Sequence, residues 1–210
     1  PEFSRVFAAR TCMMAGVGLT GVFLWYLVRF WVYGKAVVLT SAPLTIPAGF
    51  LIAGMAVATL IGAALASWAA GPISERIEEK NIPVARVVAG ACLLYAAGLA
   101  LAWGLGVWST GTARENGMLL FALISGFAFG VYDSLGLELV MDSLPDPRRA
   151  GHDLGIYALA NSAGLALAAI IGALLVNAFE HSFGYYLLFP SAIVMVLLAG
   201  IVTLTTKSAE

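Results

Sequence analysis

The feature that most constrains this chain is a series of apolar runs, each about the 20 residues a helix needs to cross the hydrocarbon core of a bilayer. Six lie at 11–33, 46–70, 86–108, 118–140, 154–179 and 185–205. Hydrocarbon offers no hydrogen-bonding partner, so a spanning segment must satisfy its own backbone, and each run reads as a helix. The expected fold is an all-α integral membrane protein: one six-helix transmembrane bundle over residues 1–210. Composition agrees, with 61% hydrophobic and 11% charged residues, where a water-soluble domain carries about 25% charged. A net charge of −1 leaves no footprint for nucleic acid. Cys12 and Cys92 cannot build a disulfide framework or a structural zinc site. The chain opens Pro1-Glu2-Phe3 without Met, so a processed chain or a piece of a longer one is expected. Its first apolar run is too long for a signal peptide and reads as a span.

Breakers punctuate the runs. Pro43 and Pro47 bracket the first loop, and Gly71-Pro72 with Pro83 the second. Asn116-Gly117 marks the third, Pro145 with Pro147 the fourth, and Ser182-Phe183-Gly184 the fifth. Six spans place both termini on one side, which holds Arg5, Arg10, Arg76, Lys80, Arg86, Arg148, Arg149 and Lys207. The other side holds Arg29, Lys35 and Arg114. Eight against three predicts cytoplasmic termini and a multi-pass protein of the cell (plasma or inner) membrane.

Small residues let helix backbones approach closely in lipid. The second span carries Gly54, Ala58, Gly62, Ala66 and Ala70 at four-residue spacing, and the fifth carries Ala160, Gly164, Ala168 and Gly172. The fourth has Ala122, Gly126, Gly130 and Ser134. The two longest stripes lie three spans apart, as a three-plus-three helix repeat would place them.

Motif searches leave enzyme readings little to stand on. Gly16-Val17-Gly18-Leu19-Thr20-Gly21 matches the dinucleotide fingerprint in letters, but that motif works only between a strand and a helix with an acid about 20 residues on. Here it lies in a membrane-length run, with no acid between Glu2 and Glu75, and reads as a glycine-rich packing helix. His152 and His181 fall in loops at opposite surfaces, too far apart for a serine–histidine pair. No metal-ligand spacing and no phosphate loop occurs, so no catalytic residue, metal or cofactor is assigned.

Ionisable residues at membrane depth are costly, at least about 2.5 kcal/mol at a helix centre. Only the fourth span holds them well inside, as Asp133 and Glu138. Five residues separate them, about 140° around a helix, so they are not a paired-carboxylate site. Asp133, the deeper, reads either as a substrate- or proton-binding group in a watered cavity or as a carboxylate paired with a basic loop. Glu138 reads as structural. Tyr132, Tyr157 and Asn161, with Tyr26 beside Trp25 on the first span, are further candidates for the substrate or proton pathway, and Arg29 can snorkel to water.

The segment Gly71-Pro72-Ile73-Ser74-Glu75-Arg76-Ile77-Glu78-Glu79-Lys80 resembles the Gly-x-x-x-Asp-Arg-x-Gly-Arg-Arg/Lys loop of the major facilitator superfamily. Gly71, Arg76 and Lys80 match, Glu75 stands for the Asp, and Glu78 and Glu79 replace the family's Gly and Arg. Phe3 to Arg10 looks like the lead into the family's seventh helix. Gly130-Val131-Tyr132, Leu144-Pro145-Asp146-Pro147 and Asp153-Leu154-Gly155-Ile156 look like its tenth helix and the following loop, as in bacterial members near the sugar-transporter-like branches. Some of those have an acid where Gly136 stands here, whereas this chain has Asp133 one turn earlier.

The resemblance implies the C-terminal half of a twelve-helix secondary transporter, a symporter or antiporter that moves a small sugar-like or drug-like solute by alternating access. Its partners would be the solute, the lipid bilayer and the N-terminal six-helix half. Gly71, Glu75, Arg76 and Lys80 would form a cytoplasmic gating loop. The stripes bearing Gly54, Gly62, Gly164 and Gly172 would mark the interface on which the halves rock. The alternative is the six-helix solute-binding subunit of an ATP-driven vitamin importer, which borrows its ATPase from another chain.

The orientation has a direct test. Single cysteines at Ser74 and Asn116, in a background lacking Cys12 and Cys92, should label from opposite faces of the membrane. Labelling of Ser74 from outside intact cells would overturn the assignment.

Overall fold

The computed structural model describes residues 2–33, 45–109, 111–143, 150–178 and 181–206, and these are helices joined by short turns, with no strand among them. The helices are α1 Glu2–Gly21, α2 Leu24–Val32, α3 Thr45–Lys80, α4 Val84–Trp108, α5 Thr112–Asp142, α6 Ala150–Ala178 and α7 His181–Leu204. From α3 to α7, five are each long and apolar enough to cross a membrane. The α1–α2 pair, bent by 41° at a short break, supplies a sixth if it crosses as one span. The fold is a membrane helical bundle.

Several breakers proved weaker than their sequence suggested. Helix α3 runs straight through Gly71-Pro72 to Lys80, so the expected gating loop is helical. At about 54 Å it far exceeds the roughly 30 Å hydrocarbon core, and its last turns, with Gly71, Glu75, Arg76 and Lys80, are exposed. Pro72 lacks only its own N–H, while the surrounding helix stays bonded. The turn comes instead at Asn81, in the left-handed region at φ 48°, a conformation Asn tolerates. Its N–H bonds Glu78 O at 3.2 Å and that of Ile82 bonds Ile77 O at 3.0 Å, a Schellman closure. Asn116-Gly117 lies inside α5, the real break being Gly111 at φ 62°. Ser182-Phe183-Gly184 lies inside α7, and His152 lies in the first turn of α6 rather than a loop. Pro47 sits in the first turn of α3, where a missing N–H costs little. Pro43, Pro145, Pro147, Lys35, Arg148, Arg149 and Lys207 fall outside the described residues.

Hydroxyl groups within the helices are satisfied locally, as lipid requires. Thr59 donates to Met55 O at 2.9 Å, Ser134 to Gly130 O at 2.8 Å, and Thr203 to Ala199 O at 2.8 Å. Packing follows a regular plan: α1 lies on α6 and α7, α5 on α3 and α4, and α4 on α7. Exchanging α1, α3 and α4 for α5, α6 and α7 in order maps these five pairs onto themselves, while a lesser α6–α7 contact has no comparable α3–α4 counterpart.

The small-residue stripes make these seams. A Cβ on Gly62 would meet the Leu123 carbonyl and, at 2.7 Å, Phe127 N, while one on Gly126 would meet the Thr59 backbone. Two glycines thus let α3 and α5 touch backbone to backbone. Gly54 faces Leu119 on the same seam, and Gly130 faces Ala66. On α6, Gly164 sits against Thr11 O and Met14 of α1, and Gly172 against the Phe23 ring. Gly18, in the dinucleotide-like run, sits against Ala168. These faces are therefore filled within the bundle, which corrects the expectation that they meet another half. What α3 and α6 leave open is apolar and large: Phe50, Leu60 and Trp68 on one, Leu159, Ile170 and Leu174 on the other.

The seams predict a contrast. Gly62→Ala or Gly164→Ala should destabilise the bundle by about 1–3 kcal/mol through overpacking, lowering its thermal midpoint in detergent. Gly90→Ala, where a Cβ meets nothing within 4 Å, should be neutral or stabilising by up to about 1 kcal/mol. Equal midpoints for Gly62→Ala and Gly90→Ala would mean that the seams tolerate separation.

Candidate functional site

Four of the sequence candidates converge on a residue that none of them named. Arg10 sits in the middle of α1 and is buried at 7% exposure. Its Nη2 lies 2.7 Å from Asp133 Oδ1 on α5, and its Nε donates to Asn161 Oδ1 on α6 at 2.8 Å. Three rings enclose the guanidinium: its carbon lies 5.6 Å from the centroids of Phe129 and Tyr132 and 5.7 Å from that of Tyr157. Each contact follows from helix register. Tyr132 and Asp133 follow Phe129 by three and four residues, so each lies beside it on the surface of α5. Tyr157 and Asn161, four residues apart, are neighbours in the same way on α6.

Depth matches as well. Arg10 is about 12 Å along α1 from Glu2, Asp133 about 14 Å along α5 from Asp142, and Asn161 about 16 Å along α6 from Ala150. All three therefore lie at a similar level, inside the helical segments rather than at their ends. This corrects two expectations. Arg10 is buried inside the helical bundle rather than flanking it, and Asp133 pairs with a helix of the bundle rather than with a basic loop. His152 Nδ1 lies 3.3 Å from Asp153 Oδ1 in the first turn of α6, a separate pairing.

The chemistry of the cluster is polarised. An arginine suits the position because its planar fork can donate along its edge while rings cover its faces, which a lysine could not reproduce. The cation is enclosed, but the Asp133 side chain is 55% exposed. Oδ1 is engaged by Arg10, and among the described residues no ion pair is seen at the other carboxylate oxygen. Glu138, farther along α5, is also exposed.

Tyr26 is not part of this cluster. It lies sixteen residues beyond Arg10, past the bend, and is exposed in a stack with Phe30 at 6.4 Å and Tyr185 at 6.4 Å. That end is fastened separately. Arg114 donates from Nε to Ser109 O at 2.6 Å and from Nη1 to Trp31 O at 2.9 Å, and the Trp31 indole fills the space at Gly106. Just past α2, burial, aided by a hydrogen bond to Glu115 and its charge, pushes the Tyr33 phenol up to about 12. Gly71, Glu75, Arg76 and Lys80 are exposed on the last turns of α3, a helix other than the three that carry Arg10, Asp133 and Asn161. Among the described residues no three His, Cys, Asp or Glu side chains converge as metal ligands.

The sequence missed Arg10 because averaging over an apolar window trims a charge at its edge, starting the span at residue 11. The available signal was Asp133 itself, since a carboxylate at membrane depth needs a partner.

Comparison with known proteins adds the family. No curated protein and no solved structure matches the chain. The sequence signature of the Major Facilitator Superfamily matches residues 48–210, a stretch that holds Tyr132, Asp133, Tyr157 and Asn161 and ends short of Arg10. With well over half of its length matched and an apolar helical bundle to go with it, the chain belongs to the Major Facilitator Superfamily.

Proposed function

We propose that this chain is the C-terminal six-helix half of a secondary transporter that moves a small solute by alternating access, with Asp133 in the substrate or proton pathway. The observation that carries the reading is the asymmetry of the ion pair: a carboxylate at membrane depth is half open while its cation is enclosed. A carboxylate that stays half exposed beside an enclosed cation keeps room for a further hydrogen-bond donor, which a fully buried pair would lack. Tyr132, Tyr157 and Asn161 hold Arg10 and so act on the pathway through Asp133, while Tyr26 is a separate contact toward the other end. Family membership supports a secondary transporter over an importer's binding subunit.

The self-mapping pattern of helix pairs supports a three-plus-three repeat, the arrangement in which alternating access proceeds by rocking of bundles around a central site. The open apolar faces of α3 and α6 are the surfaces we assign to lipid and to an N-terminal half. The helical end of α3, with Glu75, Arg76 and Lys80, is assigned as the cytoplasmic gate.

Asp133→Asn keeps size and most hydrogen bonding but removes the charge. In proteoliposomes assayed by counterflow with labelled sugars and amines, the variant should insert normally and lose concentrative transport about tenfold or more. That is the scale of a lost charged hydrogen bond of about 1.5–3 kcal/mol. Unchanged rate, accumulation and pH dependence would make Asp133 a structural residue and sink the proposal.

A further inference from the structure

The geometry points to the chemical class of the solute, resting on the reading of Asp133 as a solute contact: a protonated amine or similar donor-bearing cation, with carboxylates and phosphates rejected. The ion pair is a fixed dipole whose positive end is sealed. Arg10 has its edge against Asp133 and Asn161 and its faces under Phe129, Tyr132 and Tyr157. Its side chain is 9% exposed against 55% for that of Asp133. Anything arriving from the open side therefore meets the carboxylate first.

The adjoining residue reinforces that sign. The Ser134 hydroxyl is turned back onto Gly130 O at 2.8 Å, so it offers an acceptor rather than a donor. Among the described residues Arg10 is the cation paired with Asp133. An ammonium can donate to the remaining carboxylate oxygen with no side chain displaced. An anion must first break the 2.7 Å contact and leave Asp133 without its partner, which is costly at membrane depth. Arg10 is thus a positioning residue: it aims Asp133 and does not itself receive the solute.

The test uses three probes of one size, benzylamine, benzyl alcohol and benzoate, added to the full transporter in detergent at neutral pH, with affinity read from thermal-shift titrations. Benzylamine should bind about tenfold tighter than benzyl alcohol, the difference a charge-assisted hydrogen bond makes, and benzoate should bind most weakly. Asp133→Asn, which removes the carboxylate that receives the ammonium, should abolish the preference for benzylamine over benzyl alcohol. Benzoate binding as tightly as benzylamine to the unmodified protein overturns the assignment, as do three indistinguishable probes, or none that binds. An order unmoved by Asp133→Asn overturns it too. The ranking on the unmodified protein stands even if the variant does not fold. Because binding is read without transport, a transporter that prefers benzoate loses this inference and keeps the transport reading. A protein that ranks the probes as expected but carries no solute loses the transport reading instead.

Discussion

Hydrocarbon cannot hydrogen-bond, and that single property of the solvent organises this molecule. It drives the backbone into helices and returns hydroxyls such as Thr59, Ser134 and Thr203 onto their own carbonyls. It also removes the hydrophobic drive between helices, since lipid tails are as apolar as leucine. Association must then come from close contact, and close contact needs residues with almost no side chain. The Gly62–Gly126 crossing and the seat of Gly164 on Thr11 and Met14 are the result. Both seams place one helix of the first three against one of the last three, so the same small residues that stabilise the bundle also interleave its two sets.

That interleaving builds the polar cluster. Arg10 comes from the first set, and Asp133 and Asn161 come from the second. The α1–α6 seam at Gly164 lies just beyond Asn161 and brings the amide to the guanidinium. The α1–α5 approach has few other contacts, so the ion pair is a principal link there. This charge pair bridges the two helix sets. Its strength depends on the distance between the sets, and its acid is the more exposed partner.

The opposite end is held by different chemistry. Arg114 donates to two main-chain carbonyls, and Trp31 lies in the notch left by Gly106. Those contacts fasten α2, the segment whose backbone widens to an i to i−5 bond between Tyr33 and Val28, a geometry frequent at functional positions. The bent α1–α2 pair thus carries the enclosed Arg10 before its bend and Tyr26 and Phe30 of the aromatic stack after it.

Hydropathy and small-residue spacing alone established a membrane helical bundle, because both depend only on what one helix must do in lipid. They also singled out Asp133, Tyr132, Tyr157 and Asn161, since polar groups stand out against an apolar run. The breakers misled at Gly71-Pro72, Asn116-Gly117 and Ser182-Phe183-Gly184: a helix end is decided by where the backbone finds other hydrogen bonds, and here the helix itself offered the best ones. Tertiary structure decided which helices the glycine stripes face and that Arg10 lies inside the bundle. It also decided that Arg10 is sealed while Asp133 is open. A sequence records the charge of each residue, but whether that charge faces water, a ring or another charge depends on neighbours far apart in number and a few ångströms apart in space: Arg10 and Asn161 are separated by 151 residues and joined at 2.8 Å.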